Sequence, residues 1–451
     1  MHDIKKTTMR ILRVLIFIAI LGMLVLCIQP AFGIAEYSFY SIEHGLKKEK
    51  KNSLDAVFIG SSNVLHYFEP PLAWKDYGIA VYSYAIASMS YRSLKYRVIE
   101  ARKTQPDALF IICVNCFQKE NSSTDALHRN LDYMPLSWNK LEMTRVLCDS
   151  ADLKLQDRLE YYLPIIRFHS RWPELTHFNF ARSVNGLKGG RIYDKFLEVI
   201  TDMSGELKEP ADNPLPENRA EVLDELLDYL EDKHVNALFV TVPQRLDASL
   251  QGELQDANRI IQERGFPCLN LVGQEAEMGV QLNQDYSDKG HFNVHGAVKF
   301  TNFFASYLVE HYGFSDKRGQ KGWESWDDSV GLYAAKINEY VLPLELTHEL
   351  RDYSLEMPHL SQPEVNGSTI KLTWTETDGA DGYMVYRKLT GDTSPWECVY
   401  AEEGAETEFT DESPAYNTTY KYTVVPFRTD ETDVYYGDFD CAGVSGKTEG
   451  E

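Results

Sequence analysis

The hydrophobic pattern changes period along the chain. Residues 14–28 are apolar apart from Gly22, and between 11 and 35 only Arg13 and Gln29 interrupt the run. That length suffices to cross a bilayer, which needs about 20 residues. From residue 56 onward, short apolar runs alternate with helical patterns. The runs at 56–61, 81–86, 108–114, 237–242 and 267–272 have the length and content of buried strands, whereas 91–103, 219–233, 248–264 and 296–312 carry a helical period. Strand-then-helix repetition predicts an α/β fold: a three-layer, doubly wound parallel sheet with helices on both faces and its site at the carboxyl ends of the strands. Beyond 358 the period drops to two. Residues 369–374, 382–387 and 418–425 alternate apolar with polar, which predicts a small all-β module.

These changes divide the chain into four parts: a basic stub and apolar helix (1–35), a linker (36–51), the α/β domain (52–357) and the β-module (358–451). Within the α/β domain, 117–216 is far too long for a strand-to-helix connection and is expected to form a helical cap over the site. A further helical pattern at 327–352 is expected to pack back onto the domain. Lys5, Lys6, Arg10 and Arg13 precede the apolar helix, which orients its start towards the cytoplasm and everything after it outward. A cleaved signal sequence is the rival, because Ala31-Phe32-Gly33 has a small-x-small pattern. The apolar run exceeds a signal core and favours an uncleaved anchor in the cell membrane, and either reading exports the rest.

Charge narrows the partners. The chain of 451 residues carries 45 Lys and Arg against 68 Asp and Glu, a formal net charge of −23, so it lacks the cationic surface that nucleic acid requires. Residues 360–451 alone hold 19 acidic and 6 basic residues. Such a surface repels anionic polymers, so the β-module is read as a spacer or as a contact for an envelope protein. The seven cysteines form no disulfide framework, and Cys113-Val-Asn-Cys116 has no second pair to complete a metal site. No metal and no cofactor is predicted.

Two segments carry chemistry. The first strand runs into Gly60-Ser61-Ser62-Asn63, a hydroxyl at a strand end before a helix, where a nucleophile is exposed and helix amides face a developing oxyanion. Near the domain's end lies Tyr286-Ser-Asp288-Lys-Gly-His291-Phe-Asn-Val-His295. One loop therefore supplies an imidazole to deprotonate a serine and a carboxylate to orient the imidazole. His295 lies four residues after His291 but has no third ligand, so it is read as capping the last helix rather than binding zinc.

The strand-end serine and the D-x-x-H before the last helix resemble the SGNH (GDSL-like) hydrolase superfamily. The anchor, the long insertion and the ending around residues 288–301 are most similar to extracytoplasmic members related to the teichoic-acid D-alanyl transfer protein and the alginate O-acetyltransferases. The resemblance implies Ser62 as nucleophile, with Ser61 as the fallback, His291 as general base and Asp288 as its carboxylate. It implies an oxyanion hole from the amide of Ser62, the amide of Ala87 where the family has glycine, and the side chain of Asn115. His169 and Arg171 in the insertion and Gln244 after the fourth strand are the candidate substrate contacts, Arg being suited to grip phosphate or carboxylate. The β-module resembles a fibronectin type III domain with Trp374 as its core tryptophan and Tyr420 or Tyr422 as its strand-F tyrosine. Together these imply an outward-facing serine esterase or O-acyltransferase acting on an acylated envelope glycan or teichoic-type polymer. The alternative is an inactive scaffold of the same fold.

Overall fold

The computed structural model describes all residues except 1, 34–36, 119, 121, 181–183, 193–206, 208, 283–284, 341, 343–345, 347–349, 353, 391–395, 441–442 and 450–451. The chain opens with α1 (His2–Ile28), whose stretch Thr8–Ile28 is long and apolar enough to span a membrane and is not buried in the fold. A 3-10 turn, Gln29–Phe32, follows, and then α2 (Tyr37–Lys48). The α/β domain begins with β1 (Ala56–Gly60), α3 (Ser62–Tyr67), α4 (Pro70–Tyr77), β2 (Val81–Ala85), α5 (Leu94–Arg102) and β3 (Leu109–Cys113). The insertion supplies α6 (Thr124–Leu131), α7 (Trp138–Ser150), α8 (Leu155–Tyr162), α9 (Ile165–Phe168) and α10 (His177–Phe180). The domain resumes with α11 (Glu217–Asp232), β4 (Ala237–Thr241), α12 (Ala248–Glu263), β5 (Cys268–Asn270), the short pair β6 (Tyr286–Asp288) and β7 (His291–Phe292), α13 (Val294–Tyr312) and α14 (Glu324–Tyr340).

Strands β1 to β5 form one parallel sheet in the order β2-β1-β3-β4-β5. Every residue of β1 to β4 is buried, which is why, Ser83 and Thr241 apart, these strands read as apolar runs. The fifth strand is shorter than its apolar run because the Asn270 side chain takes the Val272 N–H and turns the chain. The order reverses direction between β1 and β3, and right-handed crossovers then put α3 and α4 on one face and α5, α11 and α12 on the other. Helices α13 and α14 pack with α3 and α4. The exposed edge of β2 is covered by the insertion, where Ser83 N–H donates to Lys188 O at 3.1 Å. Gly189 makes that approach possible: its φ is +88°, and a Cβ there would lie 1.9 Å from Ser83 O.

A buried ionic network ties α2 to the sheet. Arg97 on α5 donates to Glu43 on α2 at 2.8 Å and to the Tyr84 hydroxyl on β2 at 2.9 Å, and also to Asn130 O on α6. Burial pushes the Glu43 carboxyl up, but the Lys47 and Arg97 charges outweigh it and hold the group below its ordinary range.

The C-terminal module consists of β8 (Glu364–Asn366), β9 (Thr369–Thr373), β10 (Gly382–Leu389), β11 (Glu397–Glu403), β12 (Glu408–Asp411), β13 (Thr419–Thr429), β14 (Val434–Tyr436) and β15 (Val444–Lys447). They form two antiparallel sheets, β12-β9-β8 and β11-β10-β13-β14 with β15 on β13. Trp374, Tyr383, Val385, Tyr422 and Val424 pack in one core, and Tyr422 donates to Asp411 at 2.8 Å. The expected linker 36–51 is instead largely helical, as α2, and the segment before β8 belongs to this module: Ser361 N–H donates to Thr373 O, and Tyr436 N–H to Leu350 O. The module also docks on the α/β domain, where Tyr386, Val425 and Phe439 share a core with Val294, Val298, Tyr333 and Ile337. Asp438 receives both Arg351 and Gln281 there.

Candidate active site

The carboxyl end of β1 sets the first residue of the site. Gly60 has no room for a side chain, since a Cβ would sit 2.5 Å from Val64 Cγ2 and 2.7 Å from Cys113 Cβ, so the chain can turn directly from strand into α3. Ser61 is the extended N-cap residue, and its hydroxyl accepts the Met89 N–H at 3.2 Å. Ser62 opens the helix, and its Oγ lies 2.8 Å from His291 Nε2. The two serines are thereby separated: Ser61 holds the loop after β2, and Ser62 meets the imidazole.

His291 is delivered by the tight β6–β7 pair. Its Nδ1 is 2.9 Å from both carboxylate oxygens of Asp288, so the Nδ1 proton points at the carboxylate and Nε2 accepts from the Ser62 hydroxyl. Burial pushes the Asp288 carboxyl up, but the hydrogen bond and charge of His291 and the Gly290 N–H, 2.7 Å away, outweigh it and hold the group below its ordinary range. The side chains of His291 and Asp288 are 24% and 38% exposed and Ser62 is half-buried, so the three residues lie at the protein surface.

A second set of residues holds this loop. The Gly290 carbonyl accepts from Asn63 Nδ2 and Gln244 Nε2, each at 3.1 Å, and lies 3.1 Å from the Tyr67 hydroxyl, which donates to Pro243 O at 2.6 Å. The His66 ring stands edge-on to His291, with centroids 4.9 Å apart. Asn63, His66 and Tyr67 were missed by sequence reasoning, although His66 is one helical turn from Ser62 and so shares its face. The helix after the loop is capped by Asn293, whose side chain accepts the N–H groups of His295 and Gly296. The expected capping role of His295 is therefore taken by Asn293. His295 is buried against Phe439, and burial together with Arg351 and Lys299 drives its pKa well below the ordinary value.

Residues expected in the oxyanion hole divide. Gly60 and Ala85 are register partners on adjacent strands, which puts Ser62 and Ala87 each two residues past the paired ends. Among the described residues neither amide has a hydrogen-bond partner. The strained position of this turn is Ser88, at φ +60°, rather than Ala87. Its carbonyl accepts from Asn130 of α6 at 3.2 Å. Asn115 does not offer a free donor, because its amide donates to Val242 O at 3.0 Å and Gln244 Oε1 at 2.9 Å. Gln244 is buried between Asn115 and Gly290, as a strut for the histidine loop instead of a rim residue facing outward.

His169 and Arg171 are not brought to the triad. His169 bonds the carbonyl of Ile166, while Arg171 donates to Gly33 O, just past the turn that follows α1, and pairs with Glu174. Among the described residues no three His, Cys, Asp or Glu side chains gather as metal ligands.

No family model matches the chain, and no curated protein does. Solved structures similar to it are fibronectin type III-like domains. A Fn3-like protein from Clostridium thermocellum shares 24% identity over 19% of this chain and 88% of that chain, with a TM-score of 0.16. The fibronectin type III domain of human fibronectin type III domain containing protein 3 shares 15% over 22% and 91%, with a TM-score of 0.18. A β-1,2-glucanase from Parabacteroides distasonis shares 19% over 23% of this chain and only 14% of its own length, also with a TM-score of 0.18.

Proposed function

We propose that the chain is a membrane-anchored, outward-facing serine esterase or O-acyltransferase of the SGNH type, acting on acyl esters of a bacterial cell-envelope polysaccharide or teichoic-type polymer. One observation carries this reading: the continuous chain from Ser62 Oγ through His291 to Asp288, with contacts of 2.8 and 2.9 Å. In the first step Ser62 Oγ bonds to the ester carbonyl carbon and its proton passes to His291 Nε2. The carbonyl oxygen, now an anion, faces the amides of Ser62 and Ala87. Collapse breaks the bond to the leaving alcohol, which takes the proton from His291. Water or a glycan hydroxyl then attacks the acyl-serine with His291 again as base, which gives hydrolysis or transfer. The polymer class and the outward location rest on the resemblance, the basic stub and the apolar helix. The C-terminal module is read as fibronectin type III-like and as a contact for an envelope protein.

An inactive scaffold draws on a different observation, the commitment of the Asn115 amide to Val242 and Gln244, which leaves two backbone donors for the oxyanion. Turnover of p-nitrophenyl acetate by the full chain in detergent separates the two readings. The esterase reading expects Ser62→Ala and His291→Ala to lose about 10³-fold or more, with Ser61→Ala retaining turnover. Wild-type turnover no faster than the Ser62→Ala variant favours the scaffold.

A further inference from the structure

Folded domains scatter single apolar side chains over their surface but seldom gather large ones in one region unless something covers them. Among the described residues outside α1, the large hydrophobic side chains that are exposed fall between 136 and 184, apart from Leu332 and Tyr416. Trp138 is 87% exposed, Leu155 82% and Trp172 65%, and Leu136, Leu159 and Phe180 each exceed half. All of these lie in the insertion, at positions that the proposed chemistry leaves unused.

The patch begins where the apolar helix ends. The Trp172 ring stacks on Phe32 in the turn after α1, at 5.8 Å. Gln29 of the same turn donates to Tyr162 O at the end of α8, and Arg171 donates to Gly33 O. Leu136 and Phe180 line, together with Leu26 and Cys27 of α1, a cavity of about 330 Å³. Leu155 and Leu159 stand one turn apart on α8 and so share a face. Tryptophans with leucines beside the exit of an apolar span, interleaved with Arg167 and Arg171 over the Phe168 ring, have the composition of a helix surface lying at a membrane interface.

We infer that the outer face of the insertion is seated in the headgroup region of the same bilayer that α1 crosses. The insertion then acts as a foot as well as a cap. Through Asn130, which holds Ser88 and Ser90, it ties the membrane surface to the rim that carries Ser62. Substrate would meet the serine close to the lipid surface instead of at a tether's length from it. This inference rests on the reading of α1 as an uncleaved anchor.

The test uses the full chain reconstituted into phosphatidylcholine vesicles with and without bromine on the upper acyl carbons. Residues 1–33 contain no tryptophan, so bromine quenching reports only on the exported part. The expected result is a loss of emission near the share of two among seven tryptophans, absent from the W138F/W172F variant of unchanged melting temperature. Equal emission in both vesicles, or a loss that persists in the double variant, overturns the inference. Equal emission with concentration-dependent cross-linking assigns the face to a second copy and likewise overturns it. Alkaline carbonate extraction is the separate arm for the anchor: a chain that stays in the pellet but is unquenched fails only the present inference, whereas a chain released to the supernatant fails the anchor reading and this inference with it.

Discussion

Around Ser62 the polar groups converge. Asn63, Tyr67 and Gln244 all reach one backbone carbonyl, that of Gly290, and so hold the loop that presents His291. The insertion differs: Leu127, Leu131, Met143 and Leu147 fill a core of their own, while Trp138, Leu155 and Trp172 face outward with no such convergence of polar groups. On the proposed reading, the difference is one of function in each region. A general base has to be held to a fraction of an ångström, so its support is polar and directional. A surface that meets a partner needs area, and apolar area has no direction.

The contrast can be broken first at its polar end. Asp288→Asn keeps the shape but removes the charge that fixes the His291 tautomer, and steady-state turnover is expected to fall by about 10²–10⁴-fold with little change in melting temperature. Gln244→Ala removes one support of Gly290 and one of the two acceptors of the Asn115 amide. A fall of about 10–100-fold in kcat, with KM little changed, is expected from the misplaced imidazole; an unchanged kcat would return Gln244 to a passive role.

Asn130→Ala tests a place where the insertion shares the rim's directional chemistry. It strands Ser88 O and the Ser93 hydroxyl, and denaturant unfolding should show a loss of about 1–3 kcal/mol together with reduced turnover. By contrast Leu155→Ser on the outward face is expected to change stability in detergent by no more than about 0.5 kcal/mol.

The docked C-terminal module gives a pH signature. Hydrogen bonds from Ser354, then the Arg428 guanidinium, hold the Asp352 carboxyl at about 2, below the roughly 3.9 of an unfolded chain. A depressed carboxyl contributes stability that is present above the unfolded value and lost as pH falls through the folded one. Melting temperature should therefore decline between about pH 4 and pH 2, and Asp352→Asn should flatten part of that decline.

Much of this arrangement was legible from residue patterns. The buried strands announced themselves as apolar runs, and the triad residues sit in short local strings whose chemistry demands one another. The choice of Ser62 over Ser61 came from the resemblance and not from the local pattern, because it depends on which hydroxyl the Met89 amide reaches. Asn115 and Gln244 were expected to face substrate. They face each other, because two buried amides beside the end of β4 satisfy one another and the local backbone. Arg171 was expected to grip an anion, and its partner Gly33 lies 138 residues away, where no local pattern points. The docking of the β-module is hidden for the same reason: Gln281 and Asp438 are 157 residues apart.

The most direct test of the central claim is fluorophosphonate labelling of the full chain, with the modified residue located by peptide mass spectrometry. The triad geometry predicts a single adduct on Ser62, lost in Ser62→Ala and His291→Ala and retained in Ser61→Ala. An adduct on Ser61, or none on the folded wild type, would contradict it.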